Sequence, residues 1–152
     1  MIILNATLTT TTTPALSETP YTLLETMLSI FGFSLGSLAN LIDGNISTNG
    51  VHADTAAVGS YIRTDFGGTP ISVGKVRAYA NGAGCVVVFK VQYSDNGIAW
   101  TDASGTVDMN GAAGWYELTW TYTEAHRYWQ MYKTNGATPG NYISEVEYYQ
   151  YV

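Results

Sequence analysis

The feature that most constrains the fold is a series of short runs rich in Val, Ile, Thr and Tyr, separated by clusters of Gly, Asn and Pro. The side chains of these runs favour extended backbone, and the residues between them favour turns. In chain order, the predicted strands are residues 61–66, 71–79, 86–93, 98–101, 115–122, 127–133 and 142–152. A series of this kind, with an Asn96-Gly97 turn inside it, predicts an all-β fold, an antiparallel jelly-roll β-sandwich.

The charge content of the chain restricts the classes of partner that it can bind. Only 12% of the 152 residues are charged, and six Lys plus Arg against twelve Asp plus Glu give a net charge of −6. So few cations cannot form a basic surface, which argues against nucleic acid and against a polybasic membrane surface. The charge-free run 26–42 is too short for a membrane span and is interrupted by Gly32 and Gly36. The single cysteine, Cys85, excludes an intrachain disulfide and is expected to be a buried small hydrophobe.

The chain divides into residues 1–37, an extended arm with a short helix, and residues 38–152, the sandwich domain. The arm contains five consecutive threonines, which favour extended backbone. Thr19 and Pro20 are suited to the start of a helix, and Gly32 to its end. The predicted apolar stripe of this helix is Leu24, Met27, Leu28 and Phe31. The stripe would pack either on its own domain or on a neighbouring subunit.

Oxygen-bearing side chains cluster in the segment that follows the predicted helix. Asp43, Asn45 and Thr48 surround Gly44, which permits a tight loop. A hard cation such as calcium binds six to eight oxygens of this kind. Asp and Asn also stabilise turns through their own hydrogen bonds. The spacing alone leaves both interpretations open.

Several motifs in register resemble the discoidin domain, the coagulation factor V/VIII C-type domain of the galactose-binding-like superfamily. The resemblance covers residues 38–151 and excludes the first 37. Its motifs are Asp43-Gly44-Asn45-x-x-Thr48, Tyr61-Ile62-x-x-Asp65-Phe66-Gly67, Ile71-x-x-x-Lys75-Val76, Phe89-x-Val91-Gln92-Tyr93-Ser94-Asp95-Asn96-Gly97-x-x-Trp100, His126-Arg127-Tyr128-Trp129-Gln130-Met131 and Ile143-Ser144-Glu145-Val146-Glu147-Tyr148. The chain departs from the family at Asn49-Gly50-Val51-His52, where the family often has a Trp.

The resemblance implies an eight-stranded jelly roll that binds a ligand and does not catalyse, with one structural calcium ion. Carried over to this chain, the calcium ligands are the side chains of Asp43, Asn45, Thr48 and Glu145, and the backbone carbonyls of Asn40, Thr48 and Ser144. Glu145 then supplies a second carboxylate from the closing strand. In the other interpretation, Asp43 and Asn45 cap a turn and Glu145 is solvated.

The resemblance also implies ligand binding through loops at one end of the sandwich. Sugar sites combine an aromatic face with amide, carboxylate or imidazole groups that hydrogen-bond hydroxyls. The residues of these types in the candidate loops are His52, Asn81, Trp115, Asn135, Asn141 and Tyr142. Each also has a structural interpretation: Trp115 as edge core, the asparagines as turn formers and His52 as an exposed loop residue.

We expect the protein not to be an enzyme, because the sequence has no Gly-x-Ser-x-Gly elbow, phosphate loop or His-Glu-x-x-His motif. A charge-poor chain rich in Thr, Gly, Asn and Tyr, with an N-terminal arm, is typical of a virion component of a bacteriophage. Candidates are a capsid decoration protein, a head fibre and a tail protein, with residues 1–37 contacting other virion proteins or other copies. The alternative function is a carbohydrate-binding module for host-surface glycans. The corresponding locations are the virion surface or, alternatively, the extracellular space.

Overall fold

The computed structural model describes residues 12–54, 56–82, 84–121, 124–137 and 140–152. Within these ranges the chain forms two 3-10 turns, Glu25–Met27 and Ala39–Leu41, and ten strands. The strands are β1 (Leu28–Phe31), β2 (Ser34–Leu35), β3 (Val51–His52), β4 (Tyr61–Asp65), β5 (Val73–Ala80), β6 (Val86–Ser94), β7 (Thr101–Asn110), β8 (Gly114–Thr119), β9 (Tyr128–Lys133) and β10 (Tyr142–Gln150).

The strands form two five-stranded antiparallel sheets. The first has the order β1-β4-β9-β6-β7, and the second has the order β2-β3-β10-β5-β8. The predicted antiparallel sandwich is confirmed, and six of the seven predicted runs overlap β4, β5, β6, β8, β9 and β10 over most of their length. The exception is the run 98–101, which meets β7 only at Thr101, so most of this ten-residue strand was not predicted. The Asn96-Gly97 turn joins β6 to β7, with Gly97 at a φ of 71°.

The core lies between the sheets and follows from the alternation of side chains along each strand. In β5, for example, Val76, Ala78 and Ala80 are fully buried while Lys75 and Arg77 face outward. Trp129, Tyr148 and Phe89 are among the largest buried side chains. Cys85 is completely buried, as expected, and burial raises the pKa of its thiol to about 11.

The helix predicted between Thr19 and Gly32 is wrong. Only residues Glu25–Met27 form a 3-10 turn, and Leu28–Phe31 are strand β1, which pairs with β4 from Leu28↔Thr64 to Phe31↔Tyr61. Leu28 is buried, whereas Leu24 and Phe31 are about 60% exposed. The residues of the predicted stripe therefore do not form one buried face. A short isolated helix is marginal in water, whereas the edge of β4 satisfies the backbone of this segment.

The described part of the N-terminal arm runs along the closing strand of its own chain. Ala15 and Val152 exchange backbone hydrogen bonds at 3.1 and 2.8 Å, and Ser17 and Tyr21 donate to the carbonyls of Gln150 and Tyr148. These bonds cover the part of the β10 edge that β3 leaves unpaired. β1 and β2 also precede the predicted boundary at residue 37, and they pair with strands of both sheets. The described residues include no helix with the length and apolarity that a membrane crossing requires.

Candidate functional site

Four loops lie at the same end of the sandwich. They join β3 to β4, β5 to β6, β7 to β8 and β9 to β10. Backbone hydrogen bonds tie them together. Gly84 donates to Gly111 at 3.1 Å, and Ala53 donates to Asn141 at 3.2 Å. The antiparallel topology thus brings together the loops that the sequence indicated as candidates for ligand binding.

His52 and Tyr142 form an aromatic pair in this end. They face each other across β3 and β10, and their rings make an edge-on contact with centroids 4.6 Å apart. The Nδ1 atom of His52 lies 2.7 Å from a carboxylate oxygen of Asp54. Asp54 was not among the predicted site residues, although its position two residues after His52 in the same loop was a usable signal. The carboxylate fixes the imidazole beside the tyrosine ring.

Two asparagines border this aromatic pair. The backbone N–H of Asn81 donates to the carbonyl of Tyr142 at 3.1 Å, and its side-chain Nδ2 donates to Asn49 at 3.1 Å. The Oδ1 atom of Asn81 is buried and has no hydrogen-bond partner among the described residues. Asn141 accepts a hydrogen bond from the N–H of Tyr142 at 2.9 Å. We call His52, Asp54, Asn81, Asn141 and Tyr142 the loop-end cluster.

The other two predicted ligand residues have different surroundings. Asn135 is committed to internal contacts: its Oδ1 accepts from the N–H of Val88 and from Lys133, and its Nδ2 donates to the carbonyl of Val86. Trp115 lies on β8, where it contacts Tyr79 at 5.4 Å between ring centroids and Arg77 at 4.0 Å. Trp115 therefore belongs to the outer face of the second sheet, and it remains 36% exposed.

The predicted calcium ligands of the Asp43–Thr48 turn also come together with the closing strand. The backbone N–H of Asn45 donates to Asp43 at 2.8 Å and to Glu145 at 2.9 Å. The hydroxyl of Thr48 lies 3.0 and 3.2 Å from the two carboxylate oxygens of Asp43. Glu145 itself is only 2% exposed, so the interpretation in which it is solvated does not hold. The side chain of Asn40 is turned to the carbonyl of Asn49.

The two carboxyl groups of this turn perturb each other. Burial, followed by the neighbouring Asp43 side chain, raises the pKa of Glu145 to about 7. The hydrogen bond shared with Glu145, together with those from Asn45 and Thr48, holds the pKa of Asp43 below its usual value. None of the ion pairs among the described residues includes either acid. Among the described residues the two acids thus have no cationic partner, and near neutral pH a proton on Glu145 neutralises part of their charge.

The donor set of the turn fits a hard cation. It consists of two carboxylates, an amide oxygen, a hydroxyl and nearby backbone carbonyls, which are the oxygen types that calcium binds. Within the described ranges, no group of three or more His, Cys, Asp or Glu side chains is arranged to hold a metal. A cation here would therefore depend on the neutral oxygens of Asn45, Thr48 and the backbone as well as on Asp43 and Glu145.

Comparisons with known proteins identify the class of fold. No protein-family model matches the chain, and no curated protein sequence matches it. The family 32 carbohydrate-binding module of AlyQ, in complex with 4,5-unsaturated mannuronic acid, is 23% identical with a TM-score of 0.63, over 80% of this chain and 92% of that one. The family 32 module of Clostridium perfringens NanJ, in complex with galactose, is 15% identical with a TM-score of 0.62, over 82% and 95% of the two chains.

A third similar structure is a family 32 module of Clostridium perfringens in complex with GalNAc-β-1,3-galactose. It is 12% identical with a TM-score of 0.62, over 82% of this chain and 96% of that one. These likenesses establish the fold, a β-sandwich shared with these carbohydrate-binding modules and of the kind that the sequence motifs predicted. The similar structures are carbohydrate-binding modules, and in a truncated AlyQ structure the module is joined to an alginate lyase domain.

Proposed function

We propose that this protein is a non-enzymatic carbohydrate-binding module that holds a neutral sugar at the loop-end cluster. The observation that carries the proposal is the contact of His52 with Tyr142, flanked by Asp54, Asn81 and Asn141 at the loop end of a galactose-binding-like sandwich. Structures with this fold bind galactose and GalNAc-β-1,3-galactose, which supports the proposal. The alternative function predicted from the sequence thus becomes the preferred one.

The chemistry of the cluster suits a hexose. The ring of Tyr142 offers an apolar face to the C–H groups of a sugar, and His52, Asp54 and Asn141 offer donors and acceptors to its hydroxyls. The Oδ1 atom of Asn81 is buried without a hydrogen-bond partner among the described residues, so Asn81 would contact a ligand through its exposed surroundings and not through this atom. The internal contacts of Asp54 and Asn81 hold the cluster in place before a ligand arrives, which lowers the entropy cost of binding.

Titration of the isotope-labelled protein with galactose and with GalNAc-β-1,3-galactose, followed by NMR, tests this proposal. We expect the backbone signals of His52, Asn81 and Tyr142 to shift with saturation, while the signal of Ile98 in the distant β6–β7 turn stays in place. If neither sugar moves the loop-end signals at millimolar concentration, and a wider neutral glycan panel also fails, the proposal is wrong.

We also propose that a structural calcium ion is held by Asp43, Asn45, Thr48 and Glu145, together with the carbonyls of Asn40, Thr48 and Ser144. The support is the convergence of Asp43 and Glu145 on one N–H group without a protein cation. When bound, the ion would neutralise both carboxylates and fasten the turn to β10. Its contribution would be to stability and to the position of the segment that precedes the loop-end cluster.

The virion role, as a capsid decoration, head-fibre or tail protein, stays a prediction from composition, as does a location on the virion or outside the cell. The described backbone hydrogen bonds between residues 15–21 and the rest of the chain are made with Tyr148, Gln150 and Val152 of the same chain. Attachment to a particle or to another copy would therefore use other parts of the arm or the sandwich surface. A pull-down of candidate virion proteins by the intact chain tests this role, and their consistent absence would contradict it.

A further inference from the structure

The outer face of the first sheet carries a stacked series of aromatic and cationic side chains that the loop-end cluster does not use. Phe31 on β1 stacks on Tyr61 of β4, with ring centroids 5.6 Å apart and planes inclined by 24°. Arg63, two residues further along β4, lies 4.1 Å from the ring of Tyr61 and 4.4 Å from that of Trp100. The guanidinium therefore sits between two aromatic rings. We call Phe31, Tyr61, Arg63 and Trp100 the β4 stack.

A line of hydrogen bonds across the sheet fixes the guanidinium of Arg63 in this position. Its Nε and Nη2 atoms donate to Oε1 of Gln130 at 3.1 and 2.9 Å. Gln130 in turn donates to Gln92 at 2.8 Å, and Gln92 donates to Asp102 at 2.7 Å. Lys90 closes the line by donating to Asp102 at 2.8 Å. Because Gln130 and Gln92 are at least nine-tenths buried, the line is rigid.

Arg63 differs from the other two arginines of the chain in whether a carboxylate pairs with its positive charge. Arg77 pairs with Glu147 at 2.6 Å, and Arg127 pairs with Asp65 at 2.8 Å. Among the described residues, Arg63 has no carboxylate partner, and its Nη1 group makes no hydrogen bond. Arg63 is only partly buried, so this open side of the guanidinium can accept an anion from solution.

The exposed ring beside this cation defines what kind of anion fits. Phe31 is 60% exposed, and its stacking on Tyr61 presents a continuous apolar surface at the edge of the sheet. A sugar ring packs its C–H face on such a surface. A hexuronic acid also carries a carboxylate, which a guanidinium binds in a planar, charge-assisted geometry. A phosphate or a simple carboxylate would use Arg63 but would gain nothing from Phe31.

We propose that the β4 stack is a second saccharide-binding surface, separate from the loop-end cluster, that binds an acidic sugar through Arg63 and Phe31. The carboxylate of a hexuronic acid residue accepts hydrogen bonds from Arg63, and the sugar ring lies against Phe31 and Tyr61. Gln130 is a positioning residue for the guanidinium. One surface would bind a neutral sugar and the other an acidic sugar. A polysaccharide that contains both kinds of sugar could then bind the module at two points, which raises its effective affinity.

The test is calorimetric titration of the full chain with oligomers of galacturonate, mannuronate and glucuronate, and with their methyl esters. We expect at least one acid oligomer to bind, its methyl ester to bind at least tenfold more weakly, and the affinity to fall with added salt. Arg63→Gln is expected to reduce acid binding at least tenfold, and Phe31→Ala severalfold. Arg127→Gln removes the same charge from a position just before β9, where the guanidinium is paired with Asp65, and is expected to have a much smaller effect.

The outcomes separate this inference from the proposed function. If no uronate oligomer binds the wild-type chain, or if Arg127→Gln weakens binding as much as Arg63→Gln, the inference is overturned. If galactose still shifts the NMR signals of the loop-end cluster in Arg63→Gln, the two surfaces are independent. Melting curves check the fold of each variant. If Arg63→Gln is unfolded, the decision rests on Arg63→Lys, which keeps the charge and loses the planar geometry, and on Phe31→Ala.

Discussion

Glu145 accepts a hydrogen bond at 2.9 Å from the backbone N–H of Asn45, which is 100 residues earlier in the chain. The same N–H donates to Asp43 at 2.8 Å, so a single donor joins two carboxyl groups from opposite ends of the domain. Glu145 is buried and its pKa is raised to about 7, while the pKa of Asp43 is lowered. The charge of this pair of carboxyl groups therefore changes with pH near neutrality.

The first prediction concerns stability against pH without calcium. Between the pKa of an unfolded glutamate, near 4.5, and the folded pKa of about 7, the native state binds more protons than the unfolded chain. Stability therefore falls as the pH rises through this window, by on the order of 3 kcal/mol. Urea unfolding in EDTA at pH 5 and pH 8 measures the change. We expect Glu145→Gln to remove most of the difference, and an equal difference in this variant would contradict the assignment to Glu145.

The second prediction concerns calcium itself. At a concentration 100 times its dissociation constant, a bound ion stabilises the native state by about 2.7 kcal/mol. We expect calcium to raise the melting temperature of the wild-type protein at pH 7.5 and to have little effect on Asp43→Asn. The exposed Asp108 on β7 offers a matched control, since Asp108→Asn should keep the full response. A melting temperature that calcium does not change would exclude the site.

The third prediction concerns the aromatic pair at the loop end. His52→Ala removes a hydrogen-bonding group, and Tyr142→Leu removes the flat ring while keeping an apolar side chain in β10. Each should weaken the binding of a neutral sugar at least tenfold, which corresponds to about 1.4 kcal/mol. Calorimetry measures the affinity, and Ile98→Ala at the opposite end of the sandwich is the control. Wild-type affinity in both loop-end variants would place the sugar site elsewhere.

The fourth prediction concerns the segment that was expected to be a helix. Gly32, just after β1, has a φ of +78°, and an added Cβ would overlap the side chain of Ser60. Gly32→Ala should therefore destabilise the domain by roughly 1–3 kcal/mol. The same change at Gly68, where a Cβ meets nothing within 4 Å, is the control. Equal unfolding free energies for the two variants would argue against the packing of this segment on the sandwich.

The grouping of the candidate calcium ligands could be predicted from the sequence, because the resemblance to the discoidin domain implies which distant segments meet. The resemblance placed Asp43, Asn45, Thr48 and Glu145 in one set, and the structure brings these four together. The same reasoning could not distinguish residues that contact each other at the candidate site from residues with a structural role. The rings of His52 and Tyr142 are in contact, whereas the side-chain amide of Asn135 is hydrogen-bonded to the backbone of Val86 and Val88. Which amides are already hydrogen-bonded depends on neighbouring loops, and a single sequence does not specify those contacts.

The sequence by itself determined the sandwich, because alternating β-branched and aromatic runs separated by turn residues bury one face of each strand. It could not determine the structure of residues 28–31, whose apolar spacing is compatible with a short helix. The open edge of β4 decided that question, since a strand placed there gains backbone hydrogen bonds that an isolated helix of this length could not match. The β4 stack likewise could not be predicted from the sequence, because Phe31, Arg63 and Trp100 are far apart in the chain. Antiparallel pairing and the β6–β7 turn bring them together.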